Sequence, residues 1–216
     1  MERVLEPELM DDDDQARAYA QADFSTSNQW FVDQLLTDFA PALQHVVDLG
    51  CGPADVLIRL ARAKPDLHVT GIDGSTAMIH LAAAAIQATD LEQQITLINS
   101  YVPGPLEDHM YDAILSKDFM HHLPEPMVLW NEAIRLGKPG CVLYVMDLIR
   151  PATPEDAQTI VERVAAHEDP ILKQDFYHSL CAAFTVAEVQ EQLRKAGLTL
   201  QVQQVSERHM LIKGTL

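Results

Sequence analysis

Val46-Val47-Asp48-Leu49-Gly50-Cys51-Gly52-Pro53-Ala54-Asp55 is a short apolar run of strand character that passes into a glycine-rich turn and then into a helical segment. Glycine has no Cβ, so such a turn lets the backbone approach a ligand closely at the start of a helix. About twenty residues further on, His68-Val69-Thr70-Gly71-Ile72-Asp73 reads as a second strand closed by an acid, the position that receives ribose hydroxyls in dinucleotide-binding folds. A lone glycine loop says little. Strand, loop, helix, strand and acid in succession say much more.

Further strand-like bursts follow at Ile95-Thr96-Leu97-Ile98, Tyr111-Asp112-Ala113-Ile114-Leu115 and Cys141-Val142-Leu143-Tyr144-Val145-Met146, with helical stretches between them. This alternation predicts an α/β fold, a parallel sheet with helices on both faces. Ser75 precedes an alanine-rich helix from Thr76 to Ala88, and Pro124 opens another that ends near Gly137. Thr185 and Glu188 form a capping box, Phe184 and Val189 its hydrophobic staple, and Gly197 the helix stop. The runs Leu198 to Val205 and His209 to Lys213 are joined by Ser206-Glu207-Arg208, a turn tight enough to permit only an antiparallel pair. The expected architecture is one domain over residues 1–216 with a seven-stranded, mainly parallel sheet whose last strand is antiparallel. Two additions are expected to cover the C-terminal strand ends: an N-terminal helical cap within residues 1–40, with a helical pair from about residue 14, and a cap insertion over residues 150–183.

The chain has 216 residues, 48% of them hydrophobic, and shows no repeat, no apolar run long enough to span a bilayer and no export pattern at its start. A soluble cytoplasmic enzyme with no membrane partner is the expectation. Cys51, Cys141 and Cys181 are odd in number and lack CxxC spacing, so they read as reduced thiols. Fifteen basic residues against thirty-two acidic ones give a net charge of −17, a field that repels phosphate backbones and argues against nucleic acid as a partner. Asp11 to Asp14 reads as a solvated helix start with Asp14 as its cap. No metal site is expected. His121 and His122 are sequence neighbours, which on a helix point in different directions and do not share one ion as an i, i+4 pair does.

Two ligand classes compete for the glycine loop. Counted from Gly50, the third glycine of a pyrophosphate-binding GxGxxG falls on Asp55, and an acid there, with Asp48 at the other end of the loop, repels phosphate. A nicotinamide-dependent oxidoreductase is thereby disfavoured. S-Adenosylmethionine has no phosphate and carries a sulfonium and an ammonium, which suit flanking acids.

The sequence from Val46 onward resembles the class I S-adenosylmethionine-dependent methyltransferases. Asp48-Leu49-Gly50-Cys51-Gly52 is similar to that family's first motif, which lies against the methionine part of the cofactor, with Ala54 where a third glycine is usual. Gly71-Ile72-Asp73-Gly74-Ser75 is similar to the second motif; it implies that Asp73 binds both ribose hydroxyls and that Met78 lies near the adenine. Asn99-Ser100-Tyr101 stands where the family often has an acid contacting the adenine amine, so Ser100 or Tyr101 takes that place. Tyr111 to Lys117 resembles the fourth motif, bringing Ser116 and Lys117 to the site, and leads into Asp118-Phe119-Met120-His121-His122-Leu123. Leu136-Gly137-Lys138-Pro139-Gly140 matches the turn before the fifth strand. Tyr19 joins the cofactor set, although Tyr19 and Phe24 at helical spacing equally suit a packed core.

The resemblance implies transfer of the sulfonium methyl to a small-molecule acceptor, a reaction that rests on proximity and exclusion of water. A base is needed only when the acceptor arrives protonated. His121 is the first candidate and His178 the second. Arg150, Phe176 and Tyr177 are the expected acceptor contacts, with a salt bridge from Arg150 to Asp175 as the alternative use of that arginine. A non-catalytic S-adenosylmethionine-binding module has the same loop and stays open. The sequence names neither the acceptor, nor the atom methylated, nor the oligomeric state.

Overall fold

The computed structural model describes residues 1–6, 16, 18–20 and 22–216. The run Asp11 to Asp14 lies outside the described residues. Residues 16 and 18–20 are helical, and in chain order there follow α1 (Ser25–Phe39), β1 (His45–Leu49), α2 (Asp55–Ala63), β2 (His68–Asp73), α3 (Thr76–Gln87), β3 (Ile95–Asn99) and β4 (Tyr111–Lys117). After these come α4 (Met127–Leu136), β5 (Gly137–Leu148), α5 (Pro154–Val164), α6 (Pro170–Ala182), α7 (Val186–Ala196), β6 (Gln201–Gln204) and β7 (His209–Thr215).

The seven strands form one sheet in the order β3-β2-β1-β4-β5-β7-β6. β1 lies parallel between β2 and β4, β5 lies parallel to β4, and β7 runs antiparallel to both β5 and β6. The chain winds outward from β1 to β3 and then returns to start again at β4, so the loops after β1 and β4 diverge. A crevice opens at such a switch point, at the C-terminal strand ends. Central strands are covered on both faces, and β1 accordingly buries Val46, Val47 and Leu49 completely. One face packs against Phe31, Leu35 and Leu57 of α1 and α2, the other against Leu129, Trp130 and Val189 of α4 and α7.

Two local expectations change. α4 begins at Met127, not at Pro124; the residue before a proline is steered out of the helical region, and Glu125 precedes Pro126. β5 begins at Gly137, four residues before the apolar burst, because backbone pairing with Tyr111 extends the strand past its buried side chains. The α7 capping box is present, with Glu188 N–H donating to Thr185 Oγ1 at 3.3 Å and Thr185 N–H to Glu188 Oε2 at 2.7 Å. Gly197 closes the helix at φ 72°.

The segment from 150 to 183 buttresses the fold from outside the sheet. Ala157, Ile160, Val161, Leu180 and Ala183 cluster with Leu148, and Phe176, Tyr177 and Met1 pack against them. Buried Arg150 ties this segment down, donating from Nη1 to Ala183 O at 2.9 Å, from Nε to Met1 O at 3.2 Å and from Nη2 to Glu188 Oε1 at 2.6 Å. The first residues lie across it as a strap: Val4 N–H donates to Cys181 O at 3.1 Å. Arg3 Nη2 donates to His121 O and Leu123 O, both at 2.9 Å, with its guanidinium 3.9 Å above the Phe184 ring.

If Arg150 serves the fold, Arg150→Met removes charged hydrogen bonds worth about 1.5 to 3 kcal/mol and lowers the melting temperature by several degrees. Affinity for ligands of the crevice stays at the wild-type value. Calorimetric melting and ligand titration of the same sample check both halves.

Candidate functional site

The loop after β1 is held in an unusual conformation. Gly50, Gly52 and Ala54 all have positive φ, at 78°, 50° and 69°. Gly50 N–H and Cys51 N–H both donate to Ile72 O, at 2.9 and 3.1 Å, and Ser116 Oγ of β4 donates to Leu49 O at 2.9 Å, so three neighbouring strands fix the turn. The two glycines serve different purposes. A Cβ on Gly50 would lie 2.3 Å from the Phe119 ring, whereas one on Gly52 would meet nothing within 4 Å and Gly52 lines the cavity. Gly50 lines the cavity too, and it also makes room for Phe119, whereas Gly52 is the open position.

Asp73 sits at the end of β2 with both oxygens engaged. Oδ2 accepts from Gly52 N–H and Oδ1 from Ser75 N–H, each at 2.8 Å. Ser75 in turn caps α3, its Oγ accepting from Met78 N–H at 3.1 Å. Burial raises the Asp73 carboxyl against the pull of these amides. Asp48 is buried as well, its Oδ1 has no hydrogen-bond partner among the described residues, and burial together with the nearby Asp73 pushes its carboxyl up to about 7, opposed by Lys117. Asp118, at φ 52°, pairs with Lys117 and is held below the ordinary carboxylate range, the ammonium and His209 outweighing burial.

These residues border a cavity of about 980 Å³. Of the expected cofactor residues, Tyr19, Asp48, Gly50, Cys51, Gly52, Asp73, Gly74, Ser75, Met78, Tyr101 and Lys117 line it. Gly74 has no side chain because a Cβ would lie 2.9 Å from the Tyr101 ring. Ser100 and Ser116 lie outside the lining; Ser100 Oγ turns to Tyr101 O, and Ser116 is fully buried under the loop. The Cys51 thiol is pushed well up by burial and faces its own loop, with no base to activate it. The wall also carries Glu6, Asp23, Asp55 and Glu125, against Arg59, Lys117 and His122, so acids dominate it. Asp55 accepts from Arg59 Nε at 2.7 Å and Asn28 Nδ2 at 2.8 Å, which neutralises the charge expected to repel phosphate. The burden of excluding anions falls on Asp48 and Asp73 instead.

The lining also includes the apolar side chains of Phe24, Leu81, Val102, Phe119, Leu123 and Val128. The residues expected to meet an acceptor are not brought to this wall. Arg150, Phe176, Tyr177 and His178 lie outside the lining; Arg150 pairs with Glu188, Phe176 lies under Arg208, and His178 stands edge-on to Tyr177. His121 is buried, outside the lining, with Nδ1 2.8 Å from Asp147 Oδ1. His122 takes the open position and contacts Glu6 of the strap. Sequence reasoning singled out neither Glu6 nor Asp118 nor Phe119. The His-His pair was the signal for His122, and nothing local marks Glu6.

A methyltransferase-domain family model matches residues 42–202, which span the loop, Asp73 and the whole parallel sheet. The chain is 26% identical over 157 residues to 27-O-demethylrifamycin SV methyltransferase of Amycolatopsis mediterranei, covering 71% of this chain and 53% of that protein. It is 29% identical to demethylmenaquinone methyltransferase of Listeria welshimeri, covering 51% of this chain and 47% of the other. It thus spans about half the length of the curated relatives it matches. Its fold superposes on a SAM dependent methyltransferase from Aquifex aeolicus with a TM-score of 0.71 at 19% identity, covering 93% of this chain and 97% of that one. The acid-lined glycine loop, the switch-point sheet and the matched family model place this chain in the methyltransferase-domain family, with the class I fold and S-adenosylmethionine as the family's cofactor.

Proposed function

We propose that the protein transfers a methyl group from S-adenosylmethionine to a small-molecule acceptor held in the same cavity. The observation that carries this reading is a 980 Å³ cavity lined both by the acids that flank the glycine loop, Asp48 and Asp73, and by apolar side chains such as Phe24, Phe119, Leu123 and Val128. A space at the upper end of the usual size for small-ligand sites accommodates a cofactor and an acceptor together. When bound, the cofactor supplies an electrophilic methyl on a cationic sulfur. The protein's residues do the rest. Asp73 accepts the ribose hydroxyls with the lone pairs its two amide contacts leave free. Gly52 lets the backbone approach, and Asp48 and Asp73 favour the cationic end. Phe24, Phe119, Leu123 and Val128 keep water from the acceptor and align it, which is where most of the acceleration of an in-line displacement arises. Names of relatives that refer to demethylrifamycin and demethylmenaquinone support an acceptor of this size class. The acidic surface argues against nucleic acid, and the three free cysteines fit the reducing cytoplasm.

Asp73→Ala leaves the ribose hydroxyls and two loop amides poorly paired. The loss is about 1.5 to 3 kcal/mol of cofactor binding, roughly 10- to 150-fold in affinity. Wild-type affinity in the folded variant removes Asp73 from the site. Gly52→Ala keeps the fold, at about 1 to 2 kcal/mol for a left-handed alanine, and weakens cofactor binding. Gly50→Ala collides with Phe119 and lowers the melting temperature more than Gly52→Ala does.

Asp48 makes binding depend on pH. Its folded-state value, about 7, is raised above the unfolded one, so its contribution to stability is present below the ordinary carboxylate range and lost as pH rises through 7. A cationic ligand favours the ionised form. Cofactor affinity therefore falls as pH drops below 7, by at most about tenfold per pH unit, and Asp48→Asn flattens the profile in titrations between pH 5.5 and 8. Mass spectrometry of a metabolite extract incubated with enzyme and methyl-labelled cofactor tests the acceptor class. Label confined to protein or nucleic acid would refute a small-molecule acceptor.

A further inference from the structure

We propose that Glu6, His121 and His122 form a binding site for one divalent transition-metal ion, with an open coordination position on the cavity side. One ligand atom from each of the three residues lies within 4.8 Å of the others. Two imidazoles and a carboxylate are the donor set that Zn²⁺, Fe²⁺ and related ions take when a coordination position is left open.

The sequence reading excluded such a site on the ground that neighbouring histidines diverge on a helix. The structure removes that ground. Met120–His122 is a single 3-10 turn, and the two imidazole centroids are 4.1 Å apart. The third donor comes from the other end of the chain. The strap brings the Glu6 carboxylate into contact with His122 Nδ1, and the strap's own position is fixed by the Arg3 bonds to His121 O and Leu123 O.

Behind the cluster stands an orienting carboxylate of the kind that metal-binding histidines use. Asp147 Oδ1 lies 2.8 Å from His121 Nδ1. Its Oδ2 accepts from Phe119 N–H at 3.1 Å and Met120 N–H at 2.7 Å, so the carboxylate itself cannot turn. With Nδ1 donating to Asp147, Nε2 of His121 is the nitrogen left for an ion, and its basicity is raised by the same bond. Asp147 is fully buried on β5 and has no part in the acid-lined wall; it orients His121 while also accepting from the backbone N–H groups of Phe119, Met120 and Leu148.

Accessibility completes the case. Glu6 and His122 line the cavity while His121 lies behind them, so an ion enters from the cavity and keeps a position facing it. A closed structural site has four protein donors, whereas three donors and an open side are the catalytic arrangement. The ligand class for the open position is an oxygen of the acceptor, a hydroxyl or phenol; that clause alone rests on the methyl-transfer reading. The charge around the site is mixed: Asp118 and Asp147 favour a cation and Arg3 opposes it.

The test uses the full chain after chelator treatment and dialysis, titrated calorimetrically with Zn²⁺ and spectroscopically with Co²⁺, in the absence of cofactor and acceptor. One equivalent per chain is expected, with visible ligand-field bands for Co²⁺. Glu6→Gln and His122→Ala should each abolish stoichiometric binding, and Asp147→Asn should weaken it by about 10- to 100-fold. Circular dichroism identifies the variants that fold. Because Glu6 lies on the strap, outside the sheet, Glu6→Gln keeps the test decisive if a histidine variant unfolds. Absence of a stoichiometric site, or wild-type binding in folded Glu6→Gln, overturns the proposal. Either failure leaves the methyl-transfer reading untouched, since neither cofactor nor acceptor enters the measurement.

Discussion

The site is organised around the Asp73 carboxylate, which is shared between two chain segments. One oxygen holds Gly52, in the middle of a loop with three left-handed residues, and the other holds Ser75, which caps α3. β2 delivers the aspartate at the sheet's edge of the crevice, and Ile72 O, one residue earlier, receives Gly50 and Cys51. Left-handed conformations are costly outside glycine, so Ala54 in particular persists only because its surroundings over-determine it. The same carboxylate that braces the loop has lone pairs left for a ligand.

Charge placement follows from the same geometry. Asp48 and Asp73 face one loop from two adjacent strands, Asp48 buried and Asp73 half-buried, and Asp48 has an oxygen with no partner among the described residues. A buried carboxylate without a matched partner destabilises a fold, and placing Asp48 beside a second acid and next to an opening makes sense where a cation offsets the cost. Asp55, which looks like a third member in the sequence, is not one. Arg59, one helical turn on, takes its charge, and Asn28 ties it to α1.

The parallel sheet was legible because its signals are local. Each buried strand is a short apolar run, three of the four parallel crossovers contain a helix, and the antiparallel β7 followed from a three-residue turn. Asp73 and Gly52 were legible for the same reason, as they sit at element ends. What failed had long-range causes. The purpose of Gly50 depends on the position of Phe119, the fate of Arg150 on Glu188 and on the chain's first residue, and the convergence of His121 with His122 on a 3-10 turn where a helix was expected. Composition marked Phe176-Tyr177-His178 as a pocket wall, but an aromatic run packs equally well against the back of a domain, and here it covers Leu148 and the strap.

The cavity draws on two stretches of chain. Its lining from Asp48 to Met78 lies inside residues 42–202, the range shared with the methyltransferase-domain family. Other lining residues, Glu6, Tyr19, Asp23, Phe24 and Asn28 among them, precede that range. A loop that recognises the cofactor is under the same geometric constraint in every member, whereas a wall built from segments outside the shared domain is free to change with the acceptor.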